Sequence, residues 1–236
     1  TQDDAHIFMR PDQITDEIIG VVGLINQVYS KFGFDYFVEL STRPENSMGS
    51  DEDWEAATNG LIKALEKLNM PYIVNEGDGA FYGPKIDFHL RDSLGRTWQC
   101  GTIQLNFGLE YIAEDGSRQR PIMIHRVCFG SIERFIGILT EHFAGKFPTW
   151  LAPTQVKVLP VSDKSMDYAK EVYEALREKM IRCELDTRNE KIGYKIREAR
   201  QVDRVPYMLI IGAKEVETNT VSVRDRDTDQ TVTMKL

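Results

Sequence analysis

Apolar side chains recur at spacings of three and four between Asp12 and Phe32, at Ile14, Ile18, Val21, Val22, Ile25, Val28, Tyr29 and Phe32, which predicts a helix with one buried face. Tyr36 to Leu40 reads as a strand. Ser50 can cap a second helix: acidic residues from Asp51 to Asp53 load its positive end, and Leu61, Leu65 and Leu68 continue one face. Tyr72 to Val74, Lys85 to Leu90 and Thr97 to Phe107 are expected to be extended, with Asp92-Ser-Leu-Gly95 as the hairpin turn between the last two. Pro121 to Phe129 is a further strand. Gly130 then opens a helix whose apolar stripe is Ile132, Phe135, Ile136, Leu139 and Phe143. This part reads as an antiparallel sheet with helices.

The pattern changes across Phe147-Pro-Thr-Trp-Leu-Ala-Pro153, where two prolines interrupt helix, and this segment is the expected domain seam. Beyond it, strand and helix alternate: Val156 to Val161, Lys164 to Lys179 (helical), Arg182 to Asp186, Ile192 to Asp203 (helical), Tyr207 to Ile211, then short strands at Thr220 to Arg224 and Thr231 to Met234. Alternation of this kind predicts a compact α/β sheet sandwiched by helices. No internal repeat or low-complexity tract interrupts either part.

Composition narrows the class. The 236 residues are 42% hydrophobic and 28% charged, enough apolar material for a real core, and disorder, collagen and coiled coil fit poorly. No apolar run approaches the roughly 18 to 20 residues that cross a bilayer, and the opening residues lack a basic region followed by an apolar stretch, so no membrane association or secretion is expected. Cys100, Cys128 and Cys183 are too few for a disulfide scaffold and point to a reducing compartment, the cytoplasm. The net charge of −8 is uneven: residues 1–150 carry 13 basic and 22 acidic side chains, residues 151–236 carry 16 and 15. The second part is the better anion binder. The chain opens at Thr1, inside a polar motif and without an initiating Met, and is expected to be a fragment.

Taken singly, the candidate chemical groups are ambiguous. His6 ends the polar cluster Gln2-Asp-Asp-Ala-His6, and His125 closes the apolar strand Pro121-Ile-Met-Ile-His125. Spacing alone favours structural histidines over a zinc pair, and more firmly so for His89 and His142. Phe129-Gly-Ser-Ile-Glu-Arg-Phe135 puts an arginine in the first turn of a helix, where amide dipoles and a guanidinium can hold a phosphate, although a pairing with Glu133 or another carboxylate explains it as well. The glycines of Asn75-Glu-Gly-Asp-Gly-Ala-Phe-Tyr-Gly-Pro-Lys85 suit either a ligand loop or a turn, with a slight tilt to the former. No Ser-His-Asp or Cys-His signal for a protein nucleophile is present.

Together, however, these segments resemble the threonyl-tRNA synthetases, a family of class II aminoacyl-tRNA synthetases. The resemblance rests on Thr1-Gln-Asp-Asp-Ala-His-Ile-Phe8, Leu40-Ser-Thr-Arg-Pro44, Gly79-Ala-Phe-Tyr-Gly-Pro-Lys85, Gln99-Cys-Gly-Thr102, Ile124-His125, Gly130-Ser131 with Glu133-Arg-Phe-Ile-Gly-Ile-Leu139, Ala144-Gly145, Trp150-Leu-Ala-Pro153 and Arg188-Asn-Glu-Lys-Ile-Gly193, in family order over nearly the whole chain. It implies an α+β class II catalytic core, truncated at its N-terminus, over residues 1–148 and an α/β anticodon-binding domain over residues 149–236. It implies that His6 and His125 are two ligands of a catalytic Zn2+ whose third, a cysteine, lies upstream; Cys100 is an unsuitable substitute. Gln2, Asp4, Tyr82, Gln99 and Gln104 would line the threonine and adenylate pocket, Asp4 accepting from the amino group. Arg134 would meet the terminal phosphates of ATP, with Lys85 and Mg2+ adding positive charge. An open metal position can take the amino and hydroxyl groups of threonine together and so reject valine. The implied activity is threonine–tRNA ligation, with ATP, L-threonine and tRNA(Thr) as partners and a homodimer as the full-length form.

In the second domain the resemblance implies anticodon contacts from Asn189, Glu215 and Arg224. Arg188, Lys191, Lys195, Arg197, Arg200 and Arg204 form a candidate phosphate-facing stripe, weighed against an ordinary solvated helix face. The stretch from Arg197 to Pro206 is one residue longer than usual for the family, and Cys128 and Phe129 replace its small aliphatics, which predicts altered packing with unaltered chemistry. Motif 1, the motif 2 strand with its arginine and any editing domain are outside these residues, so the fragment is not expected to activate threonine unaided. The alternative is a non-catalytic paralogue that binds tRNA or regulates. Retention of His6, His125 and Arg134 favours the enzyme.

Overall fold

A computed structural model describes residues 1–107 and 110–236 and divides the chain into two compact units, Thr1–Leu139 and Thr140–Leu236. The first contains β1 (Ala5–Met9), a 3-10 turn at Pro11–Gln13, α1 (Ile14–Phe32), β2 (Tyr36–Ser41), α2 (Asp51–Lys67), β3 (Ile73–Asn75), β4 (Lys85–Arg91), β5 (Thr97–Phe107), β6 (Tyr111–Ile112), β7 (Arg118–Gln119) and β8 (Ile122–Val127). α3 (Ile132–His142) follows and runs past the division. Ser50 caps α2 as expected, its hydroxyl accepting from the Asp53 amide at 3.1 Å.

Six of these strands form one sheet in the order β1-β8-β5-β4-β2-β3. Every neighbouring pair is antiparallel except β2 and β3, which are parallel, a departure from the all-antiparallel expectation. Because side chains alternate between faces, each strand sends one row inward. Val38, Leu40, Ile86, Phe88, Leu90, Ile103, Leu105, Ile122 and Ile124 are buried, as are Ile18, Val22 and Ile25 of α1 and Leu61 and Leu65 of α2. Tyr29 ties α1 to the sheet, its ring edge-on to Phe88 and its hydroxyl donating to the Cys128 carbonyl at 2.7 Å. Each such apolar side chain contributes about 1.5–3 kcal/mol through burial, and the opposite, polar face of the sheet is left for chemistry.

Two sequence expectations change here. In α3 the buried positions are Phe135, Ile138 and Leu139, while Ile136 is exposed, so the stripe is rotated from the one read off the sequence. β1 has no counterpart in the sequence reading, where its first two residues close the polar cluster Gln2-Asp-Asp-Ala-His6; it is a five-residue strand at the sheet edge that buries only Met9.

The second unit contains β9 (Val156–Pro160), a 3-10 turn at Asp163–Ser165, α4 (Met166–Glu178), β10 (Cys183–Leu185), α5 (Ile192–Gln201), β11 (Tyr207–Ile211), α6 (Ala213–Thr218), β12 (Val221–Asp225) and β13 (Thr231–Met234). Strand order is β10-β9-β11-β12-β13, parallel among the first three and antiparallel thereafter. Ala169, Val172 and Leu176 of α4 pack with Val156, Val158, Leu209 and Ile211 on one face. Ala199 of α5 packs with Leu159 and Met208 on the other, with Ile192 and Ile196 beside them, giving the expected mixed sheet between helices. The six-residue α6 has no counterpart in the sequence reading because it is too short to show a period.

Candidate functional site

Antiparallel register sets the site. His6 of β1 lies opposite His125 of β8, His125 opposite Gln104 of β5, and Gln104 opposite Lys85 of β4, so four candidate residues share one rung across the polar face. The two imidazole rings meet edge to face with centroids 4.1 Å apart. Asp4 Oδ2 is 3.8 Å from His6 Nε2 and Asp4 Oδ1 is 4.0 Å from His125 Nδ1. The ligand atoms of Asp4, His6 and His125 all lie within 4.8 Å of one another, the one such group of metal-ligating side chains found among the described residues. Partial burial first, then the neighbouring His6, lowers the His125 pKa against the opposing pull of Asp4, which leaves a neutral imidazole with a free lone pair. Two imidazoles beside a carboxylate form a donor set that suits zinc.

Asp3, which sequence reasoning left without a role, anchors this corner. Its carboxylate accepts from the amides of Cys128 at 2.8 Å and Phe129 at 3.0 Å, and Arg126 donates to its carbonyl at 3.2 Å. This clamp holds the segment before β1 against the end of β8 and so places Asp4 beside the histidines. Gln2, exposed, bridges in antiparallel fashion to Ser131 at the start of α3.

Asp87 is the other residue the sequence reading missed. Only 1% exposed, its carboxylate accepts from Lys85 Nζ at 2.6 Å, Gln99 Nε2 at 2.6 Å and Thr102 Oγ1 at 2.8 Å. Lys85 also reaches Asp78 at 3.3 Å. Burial pulls the Lys85 pKa down, but its two carboxylate partners outweigh this and raise it. Lys85 is therefore charged and locally neutralised. The register between β4 and β5 shifts at Phe88/His89, where Phe88 faces Gly101 and His89 faces Gln99. Residues three apart in a regular strand point to opposite faces; the bulge is what lets Gln99 and Thr102 both reach Asp87. The extra residue, Cys100, is buried, and burial pushes its thiol up to about 11 despite nearby Arg134. His89 has the structural surroundings expected for it, stacked on Phe37 at 4.9 Å with Nε2 3.1 Å from Glu39, a separation suited to an ion pair but out of line for a hydrogen bond.

The glycine-rich loop before β4 is a scaffold. Its Gly77 and Gly79 amides donate to the hydroxyl and carbonyl of Thr42 at 3.2 and 2.7 Å, and the Gly83 amide to Ala80, so these donors are already used within the loop and do not form a phosphate cradle. A Cβ on Gly83 would lie 1.9 Å from the Leu105 carbonyl oxygen, which is why glycine is needed there. The loop presents Tyr82, whose hydroxyl donates to Gln104 Oε1 at 2.8 Å.

Arg134 is exposed on the first turn of α3, and its guanidinium lies 5.7 Å from the centre of the Trp98 ring. Among the described residues it has no carboxylate partner, so the alternative of a pairing with Glu133 is not realised. Trp98 is fixed in turn by its indole N–H donating to Asp92 at 2.8 Å.

In the second unit Glu215 and Arg224 are both held. Glu215 accepts from the Gly212 amide at 2.9 Å and from Ser222 Oγ at 2.7 Å, bonds that outweigh burial and lower its pKa. Arg224 donates to Asp229 at 2.8 Å, and Asn189 is exposed in the turn before α5. The candidate cationic stripe largely dissolves. Lys195 is buried, donating to the carbonyls of Asp186 at 3.1 Å and Pro160 at 3.5 Å; Arg188 forks onto Asp186; Arg200 pairs with Asp229 at 2.9 Å; Arg204 reaches the Ala144 carbonyl. Lys191 and Arg197 remain exposed on this segment.

The family model described as tRNA synthetase class II core domain (G, H, P, S and T) matches residues 1–143, and that of the anticodon binding domain matches residues 155–236. The threonine–tRNA ligase of Clostridioides difficile (strain 630) is 68% identical over 242 residues, which is 100% of this chain and 38% of the ligase. That of Caldanaerobacter subterraneus subsp. tengcongensis is also 68% identical, over 96% of this chain and 36% of its own. The chain thus spans little more than a third of the length of these curated relatives. Among solved structures, the RNA binding domain of threonyl-tRNA synthetase from Cryptosporidium parvum Iowa II superposes with a TM-score of 0.95 at 40% identity, covering 99% of this chain and 60% of that one. The apo histidyl-tRNA synthetase of S. aureus, at 18% identity and a TM-score of 0.53 over 98% of this chain and 65% of that one, shares the fold. With the core-domain match covering more than half of its residues, the chain belongs to the class II tRNA synthetases of the G, H, P, S and T group.

Proposed function

We propose that this chain is the C-terminal portion of a threonine–tRNA ligase, with residues 1–148 contributing to the catalytic domain and residues 149–236 forming the anticodon-binding domain. The observation that carries the reading is the gathering of His6, His125 and Asp4 at the end of the polar rung that also holds Gln104 and Lys85. His6 and His125 would hold a zinc ion with a third protein ligand, a cysteine, from residues preceding Thr1. Bound there, zinc supplies an open position for the amino and hydroxyl groups of threonine. Asp4 accepts from the amino group, and Gln2, Tyr82, Gln99 and Gln104 line the remainder of the threonine and adenylate pocket.

ATP, with its Mg2+, brings its terminal phosphates to Arg134, the carboxylate-free guanidinium of the site. Lys85, already paired with Asp87, orders the floor and adds little net charge. The threonine carboxylate attacks the α-phosphorus and pyrophosphate leaves; a hydroxyl of the terminal ribose of tRNA(Thr) then takes the threonyl group and AMP leaves. This chain's residues contribute position and charge with no protein nucleophile. Asn189, Glu215 and Arg224 would read the anticodon. The full-length protein would act as a cytoplasmic homodimer, and no helix among the described residues is long and apolar enough to cross a membrane.

Threonine-dependent ATP–pyrophosphate exchange by the full-length ligase tests this reading, beside His6→Ala and His125→Ala and with serine and valine as competitors. Exchange with threonine, weaker with serine, nearly absent with valine and lost in both variants supports it. No exchange by a folded, zinc-loaded protein sinks it.

A further inference from the structure

The hydrogen bonds around Asp87 leave Gln99 one free function. An ionised carboxylate only accepts, and Asp87 accepts from Lys85, Gln99 and Thr102 while 1% exposed. The single hydroxyl hydrogen of Thr102 goes to Asp87, so toward Gln99 that hydroxyl can only accept, and Gln99 Nε2 lies 3.2 Å from it. The Gln99 Nε2 is thereby turned onto two acceptors, Asp87 Oδ1 and Thr102 Oγ1, which themselves lie 2.8 Å apart. Its Oε1 has no partner among the described residues, and the side chain is exposed on the polar face. Gln104 is not fixed in this way: its Oε1 takes the Tyr82 hydroxyl at 2.8 Å, but that hydroxyl can equally accept from the amide N–H. An amide that could turn over would offer either function; Gln99 cannot, because turning would set its Oε1 against the Asp87 carboxylate, which only accepts.

We propose that Asp87 is a positioning residue that locks Gln99 as an obligate acceptor for an N–H or O–H of the substrate. The proposal rests on the ligase reading above. The donor could come from the amino acid, as its ammonium group, or from the nucleotide, as its exocyclic amine or ribose hydroxyl. A purely structural Asp87, present only to neutralise Lys85, would leave Gln99 free to turn.

The test measures KM for threonine and for ATP separately, with kcat, in pyrophosphate exchange by the full-length ligase. The proteins are wild type, Asp87→Asn, Gln99→Glu and the double variant. Each single variant raises one KM by about tenfold or more, the value of a lost hydrogen bond at a polar site, with a smaller change in kcat. Which KM rises names the source of the donor. In the double variant the amide introduced at position 87 donates to the carboxylate introduced at position 99. The other oxygen of that carboxylate again faces the pocket as an acceptor, and the KM returns to within about threefold of wild type. Both KM values of Asp87→Asn staying within about twofold of wild type overturns the proposal, as does a double variant no better than Gln99→Glu. Should Asp87→Asn fail to fold, Gln99→Met, which keeps the side-chain length and removes the acceptor, must raise the same KM as Gln99→Glu, and an unmoved KM rejects the proposal. A wild type without threonine-dependent exchange removes the ligase reading itself; active wild type with unmoved variants removes only the role of Asp87.

Discussion

His6 and His125 face each other directly across antiparallel strands β1 and β8, with ring centroids 4.1 Å apart. Strand pairing therefore supplies what local spacing does not, two imidazoles and the Asp4 carboxylate converging on one point. Replacing either histidine by alanine is expected to lower zinc affinity by more than the roughly 10- to 100-fold that loss of an outer-shell partner costs. Zinc content after dialysis of the full-length protein, read by elemental analysis, checks this. Stoichiometric zinc retained by both variants would show that the pair does not hold the metal.

Cys100 offers the matching negative control. It is 3% exposed in the bulge of β5, and burial holds its thiol at about 11. At about pH 8, below even the ordinary thiol pKa, it should therefore stay protonated and react with alkylating reagents only as the protein opens. Cys100→Ala should leave zinc content at the wild-type level. Mass spectrometry of the alkylated protein and the same zinc assay decide the matter.

Most of the fold is legible in the sequence because its core elements carry strong periods: the three-and-four spacing of α1, the full length of β5 from Thr97 to Phe107 and the alternating strands and helices of the second unit. What is lost shares a physical cause. β1 buries only Met9, so its identity lies in long-range pairing with β8. The outward turn of Gln99 depends on a bulge, and in a one-dimensional pattern Asp87 looks like any solvated acid between apolar neighbours. The glycine loop is ambiguous in a different way, because glycine serves a phosphate cradle and a close backbone approach equally well. Only the spent amides and the proximity of Leu105 to Gly83 tell the two apart.

That proximity yields a stability prediction. A methyl group on Gly83 would sit 1.9 Å from a backbone oxygen in a paired strand, a neighbour that cannot rotate away. Gly83→Ala should cost about 3 kcal/mol or more, at the upper end of overpacking penalties. It should also weaken the Tyr82 to Gln104 bond that the loop presents. The midpoint of urea unfolding measures the first effect; an unchanged midpoint would mean that the loop can shift at little cost.

Acid stability should register Asp92. Burial alone would raise its carboxyl, but hydrogen bonds from the Trp98 indole, the Arg96 guanidinium and the amides of Arg96 and Leu94 hold it down at about 2. A folded pKa below the unfolded value of roughly 3.9 means stability that is fully present above that value and lost as pH falls toward the folded pKa. The melting-temperature gap between wild type and Asp92→Asn should therefore be constant from neutral pH to about 4 and narrow between about 4 and 2. A gap independent of pH over that window would deny the carboxylate its role in the hairpin.

Lys195 and Arg197 lie two positions apart on α5 and should behave oppositely. Lys195 is 3% exposed and its ammonium serves the carbonyls of Pro160 and Asp186. Lys195→Met leaves those acceptors without that donor inside the unit, at about 1–3 kcal/mol per unsatisfied group. The salt dependence of tRNA binding should not change, because a buried ammonium releases no phosphate counterion. Arg197 is exposed, its guanidinium resting 5.8 Å from the centre of the Tyr194 ring. Arg197→Ala should alter stability by no more than about 0.5 kcal/mol. If this face meets the tRNA backbone, it should also reduce the slope of log affinity against log salt by about 1. Urea midpoints and tRNA binding at several salt concentrations separate the two residues; a reduced slope for folded Lys195→Met, or an unchanged one for Arg197→Ala, would reverse the assignment of which cation faces nucleic acid.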